Sequence, residues 1–186
     1  DCLERTLYNG VISGMSIDGG KFFYPNPLES RGNYERKDWF GCACCPSNIS
    51  RFIPSLPGYM YAVKDNSLYV NLYAANTAEI SLQGKKIVLE ETTQYPWEGD
   101  IAIKILKNNA KSFRMMLRIP GWLRNEPVPS DLYHYADNKQ LGYQISVNGE
   151  AVQGELEKGY LAIERKKKKG DVLRIQLREK SISVTH

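Results

Sequence analysis

The sequence predicts a mainly β chain: an antiparallel β-sandwich over residues 57–186, preceded by a short helical and loop segment over residues 1–56. Three observations carry this. After Gly58 the apolar residues alternate with period two, in runs of strand length. Turn signals separate the runs: Asp65-Asn66-Ser67, Gln83-Gly84, Asn148-Gly149 and Gly170-Asp171. Before the junction near Pro54–Gly58 the spacing is helical instead, with Leu3, Leu7, Val11 and Met15 four residues apart.

That apolar stripe predicts an opening helix, and Asp18-Gly19-Gly20 a turn after it. Phe22-Phe23-Tyr24-Pro25-Asn26-Pro27 reads as extended, because proline disfavours helix in the residue before it. Residues 29–38 are polar and read as a loop. Pro46 suits the first position of a helix, which predicts a short helix over Ser47–Phe52 with Cys45 as its cap and Pro54 and Pro57 as its stop. Strands follow at Tyr59–Lys64, Ser67–Ala74, Thr77–Leu82 and Lys86–Gln94. Ile101, Ile103 and Ile105 alternate cleanly and Ser112–Ile119 less so. Asn125–Gly142, with two prolines, reads as a surface loop; Tyr143–Val147, Tyr160–Glu164 and Val172–Leu177 complete the strands.

Composition is ordinary for a globular chain, 42% hydrophobic and 25% charged. The net charge of +4 owes much to Lys166-Lys167-Lys168-Lys169, which reads as a solvated turn between two strands. Basic residues are not spread over a face with interleaved aromatics, so a nucleic-acid partner is not expected. No run reaches the ~18 apolar residues of a membrane-spanning helix, so no membrane partner is expected either. The chain opens without a signal peptide, inside helical spacing, and reads as a piece of a larger protein whose localisation it does not reveal.

Chemistry concentrates in Asp38-Trp39-Phe40-Gly41-Cys42-Ala43-Cys44-Cys45-Pro46-Ser47-Asn48, where three of the four cysteines fall within four residues. Neighbouring Cα atoms are ~3.8 Å apart, short of the ~4.4 Å an unstrained disulfide needs, so Cys44 and Cys45 should not bridge each other easily. A thiol at a helix N-terminus ionises more readily, so Cys44, Cys45 or both should carry thiolate, competent as nucleophile or as zinc ligand. Three buried apolar cysteines are the plainer alternative. His134 and His186, the only histidines, look peripheral to the cluster. Cys2, on the opening helix, reads as packing; Glu4, beside the Leu3/Leu7 stripe, reads as solvated on spacing alone; Tyr24 reads as a wall residue or core.

The string Cys42-Ala43-Cys44-Cys45-Pro46-Ser47-Asn48 resembles the C-x-C-C-P-x-N signature of the β-L-arabinofuranosidase family of bacterial glycoside hydrolases, glycoside hydrolase family 127. Leu3–Gly10 and Phe22–Glu29 resemble the segments before that signature. Arg118-Ile119-Pro120-Gly121-Trp122, Val147-Asn148-Gly149, Gly159–Arg165 and Lys169-Gly170-Asp171 resemble its sandwich. The resemblance implies that residues 1–56 are the C-terminal end of a catalytic (α/α)6 barrel and that the intact parent is a retaining hydrolase. It implies Cys44 as the nucleophile, Cys44 and Cys45 as zinc ligands, and Tyr24 and Glu4 as substrate-binding residues. The position of Cys42 varies in the family, and its role is open. The family's other zinc ligands and its acid/base glutamate precede the stretch that this chain resembles. The implied partners are therefore a carbohydrate substrate and the missing N-terminal barrel, in a bacterial cytoplasm or periplasm. Zinc is expected in the parent, absent or weakly held in this piece, and the isolated piece is expected to be inactive.

Two other readings stand beside this one. The twelve tyrosines and three tryptophans would suit a non-catalytic carbohydrate-binding or interaction sandwich, although strand tyrosines are more often core. A structural zinc site at the junction of helix and sandwich is the other.

Overall fold

The computed structural model describes residues 1–25, 27–110, 112–128, 130–136, 141–164, 166–178 and 184–185. Asn26, Arg165, His186 and the centre of the 125–142 loop lie outside them. The chain divides into two compact units, Asp1–Gly58 and Tyr59–His186.

The first unit begins with α1, Cys2–Thr6, but the helix does not run on as the stripe predicts. It widens into a π turn at Leu7–Val11 and closes as a 3₁₀ turn at Ile12–Gly14. Two side chains compete for the carbonyls there: Asn9 Nδ2 donates to Arg5 O at 3.0 Å and Ser13 Oγ to Asn9 O at 3.1 Å. Of the stripe only Leu7 is buried. Cys2 is exposed rather than packed, and Glu4, expected in solvent, is buried.

The second helix, α2, spans Cys44–Ser55 and is longer than its prolines suggested. Its cap is Ala43, so Cys45 lies inside the helix and Pro46 is its third residue. The first four N–H groups of a helix have no intrahelical acceptor, so proline fits any early position and does not mark the first. Pro54 sits within the last turn.

The second unit is the sandwich. One sheet orders its strands β1 (Tyr61–Lys64), β2 (Ser67–Val70), β6 (Arg114–Arg118), β11 (Tyr160–Glu164) and β10 (Glu155–Glu157). The other orders β3 (Asn76–Leu82), β4 (Lys85–Thr93), β5 (Asp100–Asn108), β12 (Val172–Leu177), β8 (Tyr143–Val147) and β9 (Glu150–Ala151). The chain leaves the first sheet after β2, builds three strands of the second and returns as β6. That detour makes β2 and β6 parallel, an exception within otherwise antiparallel pairing. The loop expected over 125–142 contains β7 (His134–Tyr135), which pairs with β13 (Val184–Thr185).

Both sheets supply one core. Leu68, Val70, Met115, Leu117, Leu161 and Ile163 come from the first sheet. Ile87, Leu89, Ile101, Ile103, Ile105, Leu173 and Ile175 come from the second. Period-two alternation presents each apolar set on one face. Asn148 and Gly149, at φ 54° and 86°, make the β8–β9 turn that their sequence announces.

Two polar groups are buried in the sandwich. Lys167, expected in solvent with its neighbours, is 4% exposed. Its Nζ donates to Phe113 O at 2.8 Å and Ile163 O at 3.0 Å, which compensates its desolvation. Glu91, on β4, accepts from Tyr61 Oη at 2.9 Å and from Ala74 N at 3.1 Å, tying the two sheets together. Burial pushes the Glu91 carboxyl up to about 7, and these hydrogen bonds only partly oppose it.

A carboxyl with a raised folded-state pKa binds its proton more tightly in the fold than in the unfolded chain. Its stabilising contribution is therefore full below the unfolded value and is lost as pH rises through the folded one. Urea unfolding should show stability falling by about 3 kcal/mol between about pH 4.5 and 7, then levelling. Glu91→Gln should lack that fall; an identical slope in the variant would contradict the assignment.

Candidate active site

The reactive side chains gather in the first unit. Phe22 and Lys37 exchange backbone hydrogen bonds, Phe22 N to Lys37 O at 2.8 Å and Lys37 N to Phe22 O at 2.9 Å. This bridge lays the Phe22–Tyr24 run beside the run that leads into the cysteines. Alternate rings then pair across it: Phe22 meets Trp39 edge-on at 5.6 Å, and Tyr24 meets Phe40 at 5.4 Å. Tyr24 is thereby aimed at the start of α2, and its Oη stands 2.9 Å from Cys44 Sγ.

The backbone of Cys44 is held from the helix side. Ser47 Oγ donates to Cys44 O at 3.1 Å and Asn48 Nδ2 at 2.9 Å. Arg51 in turn donates to Asn48 Oδ1. Asn48, which the signature contains without explaining, thus fixes the residue that carries the sulfur.

Cys44 Sγ and Cys45 Sγ are 3.8 Å apart, and all four cysteines are free and exposed. The two thiols are not alike. Cys44 is held below the ordinary thiol range, first by the Tyr24 hydroxyl and next by the Cys45 thiol, both directed at its sulfur. Cys45 is pushed up, chiefly because its thiol donates to Cys44. Tyr24 is pushed up by the same contact with Cys44. The asymmetry makes Cys44 the readier of the two to ionise. The leading cause is a tyrosine twenty positions earlier in the sequence, not the helix terminus the sequence suggested.

Replacing Tyr24 by phenylalanine removes that donor. The pH midpoint for alkylation of Cys44 by iodoacetamide, followed on the peptide 38–51, should move to higher pH in Tyr24→Phe. An unmoved midpoint would show that the hydroxyl does not stabilise the thiolate.

The sulfur pair suits a metal ion. Two thiolates at ~2.3 Å from a tetrahedral zinc lie roughly 3.8 Å apart, the separation found here. Among the described residues no group of three or more His, Cys, Asp or Glu side chains is arranged to hold a metal. Cys44 and Cys45 therefore fit as half of a ligand set. His134 belongs to the other unit, at the start of β7. Glu4 is buried on α1, and the hydrogen bonds joining Tyr24, Cys44 and Cys45 do not involve it. The sandwich has an open groove of about 700 Å³ lined by Tyr143, Gln144, Ser146, Gln153 and Gln176 among others, without a thiol, carboxylate or imidazole.

Residues 1–58 match the family model of the β-L-arabinofuranosidase GH127 catalytic domain. Residues 67–178, more than half of the chain, match that of the GH127 middle domain. The chain belongs to glycoside hydrolase family 127. Its similarity to other family 127 proteins extends over both units. A non-reducing end β-L-arabinofuranosidase of Bifidobacterium longum subsp. longum is 35% identical, over 95% of this chain and 26% of that protein. Among solved structures, the GH127 β-arabinofuranosidase BT3674 is 60% identical with a TM-score of 0.92, over 98% of this chain and 28% of the other. Ara127N-Se, a GH127 β-L-arabinofuranosidase from Geobacillus stearothermophilus T6, is 34% identical with a TM-score of 0.75, over 95% of this chain and 27% of the other. The chain thus spans about a quarter of the length of these family 127 relatives.

Proposed function

We propose that this chain is the C-terminal part of a zinc- and cysteine-dependent retaining hydrolase of β-L-arabinofuranosides, with Cys44 as the nucleophile. The observation that carries the reading is the Tyr24–Cys44–Cys45 arrangement, which singles out one sulfur as thiolate and sets a second at the spacing of a shared metal. The relatives' names, β-L-arabinofuranosidase, supply the sugar.

In the reaction, Cys44 Sγ attacks the anomeric carbon as the bond to the leaving oxygen breaks, and a thioglycosyl bond to Cys44 forms. A carboxylic acid outside this chain protonates the leaving oxygen. It then deprotonates the water that displaces the sulfur, restoring the original anomeric configuration. Tyr24 Oη donates to Cys44 while the sulfur is anionic and loses that anionic partner once the thioglycosyl bond forms. Asn48 and Ser47 hold the Cys44 carbonyl, so the sulfur keeps its aim through both steps. Zinc, held by Cys44, Cys45 and ligands from the rest of the parent, would keep the thiols deprotonated and oriented. Tyr24 and Glu4 complete the sugar pocket in this reading.

The test is hydrolysis of an aryl β-L-arabinofuranoside by the full-length enzyme and by the 186-residue chain alone. The full-length enzyme should release the aryl group with the sugar's configuration retained, while the chain alone, lacking the proton donor, should release none. Release with inversion, or no release by the full-length enzyme, would overturn the reading.

A further inference from the structure

Three segments of the first unit run side by side, and each belongs to one of the site residues. Met15 bridges to Phe22 and Phe22 to Lys37, so the Phe22–Tyr24 run is the middle segment. The segment on one side follows the opening helix that carries Glu4, and the one on the other leads into Cys44. The backbone holds the middle run at few points: Phe23 N donates to Gly14 O at 2.9 Å on one side, and Phe22 exchanges its two bonds with Lys37 on the other. Isolated bridges of this kind open readily unless side chains hold them.

Arg36 is the side chain that reaches across. It stands on the segment leading to Cys44, next to Lys37. Its Cζ lies 4.4 Å from the centroid of the Phe23 ring on the middle segment, and its Nη2 donates to Ser13 O at 2.6 Å on the far one. A guanidinium can do both at once, since its face meets a ring while the N–H groups at its edge donate in plane. Tyr34 stacks on the Phe23 ring as well, with centroids 5.2 Å apart and planes 26° from parallel. Phe23 is thereby anchored, and its neighbour in the chain is Tyr24, whose Oη stands 2.9 Å from Cys44 Sγ.

We propose that Arg36 is a positioning residue for the hydrolysis, a strap that holds the Tyr24 run between the segments of Glu4 and Cys44 and so fixes the Tyr24 hydroxyl on the Cys44 sulfur. The proposal rests on the hydrolase reading given above. No step of the reaction uses Arg36 itself; it acts through the Phe23 ring and the Ser13 carbonyl. A small displacement of a group that orients a nucleophile is costly in rate, which is why a residue remote from the bond being broken matters here.

Two measurements test it. The first is amide hydrogen exchange, read by NMR, of the 186-residue chain and of its Arg36→Met variant, which keeps an unbranched side chain and loses the guanidinium. Exchange at Phe22, Phe23 and Lys37 should quicken about tenfold or more, while Ile103 and Ile175, fully buried in the sandwich, keep their rates and show that the variant is folded. The second is a double-mutant cycle on the full-length enzyme with an aryl β-L-arabinofuranoside. Arg36→Met should lower kcat/KM about tenfold or more in the native background, but less than about twofold beside Tyr24→Phe, where the hydroxyl to be positioned is already gone. Arg36→Lys, the milder change, should show the same pattern at smaller size. Equal losses in the two backgrounds would leave Arg36 a stabiliser of the fold, and unchanged exchange would show that it straps nothing; either result overturns the proposal. Absence of turnover in the unmodified enzyme would instead be a failure of the hydrolase reading, on which the exchange result does not depend.

Discussion

Replacing Cys44 by alanine in the full-length enzyme is expected to lower turnover of an aryl β-L-arabinofuranoside about 10⁴-fold or more, the scale seen when a nucleophile is removed from a preorganised site. Tyr24 Oη stands 2.9 Å from Cys44 Sγ, and Cys45 Sγ lies 3.8 Å to one side of it, so Cys45 is not placed where the missing sulfur was and does not substitute for it. Because Cys44 is also proposed to ligate zinc, loss of activity alone does not distinguish nucleophile from ligand. Azide separates them. A small anion entering the space vacated by the sulfur should attack the sugar from the face that Cys44 used and yield a glycosyl azide of inverted configuration. Cys45→Ala, which keeps the nucleophile, should lose metal without giving this product. Unchanged turnover in Cys44→Ala would remove the nucleophile from the mechanism.

The largest effect on stability is expected at the centre of the sandwich. Leu117 on β6 is fully buried, with Val70 and Leu161 as its strand-pair neighbours, in the core that both sheets share. Leu117→Ala should cost about 3 kcal/mol, combining lost transfer energy with the cavity left between two sheets that cannot close over it. Against a total stability of about 5–15 kcal/mol that is a large fraction, read as a lower urea midpoint with an unchanged slope. Leu132→Ala, at an exposed position, is the control and should shift stability by less than about 0.5 kcal/mol. Equal midpoints for the two variants would contradict the placement of the core.

The sandwich was legible where local rules and burial agree. Ile101, Ile103 and Ile105 alternate in the sequence and are fully buried in β5, and Asn148-Gly149 makes the turn its residue types require. The exceptions have physical causes. Period two does not reveal strand order, so the parallel β2–β6 pair arises from a detour of the chain that no local pattern encodes. A run of four lysines looks uniformly solvated, but one amino group finds two carbonyls and is buried. At the site, the crowding of Cys42, Cys44 and Cys45 was visible at once, whereas the tyrosine that decides which sulfur ionises was not. Tyr24 reaches Cys44 through the Phe22–Lys37 bridge and two ring pairs, contacts between distant residues. The nearest sequence signal was a clustering of aromatic residues in both runs, Phe22, Phe23 and Tyr24 in one, Trp39 and Phe40 at the end of the other.

The central claim is that Cys44 bonds to the sugar. Rapid acid quenching of the full-length enzyme during turnover of an activated aryl β-L-arabinofuranoside, followed by peptide mass mapping, tests it most directly. The account predicts one pentosyl unit on the peptide 38–51, carried by Cys44 and absent in Cys44→Ala. A pentosyl unit on any other residue, or its persistence in that variant, would contradict it.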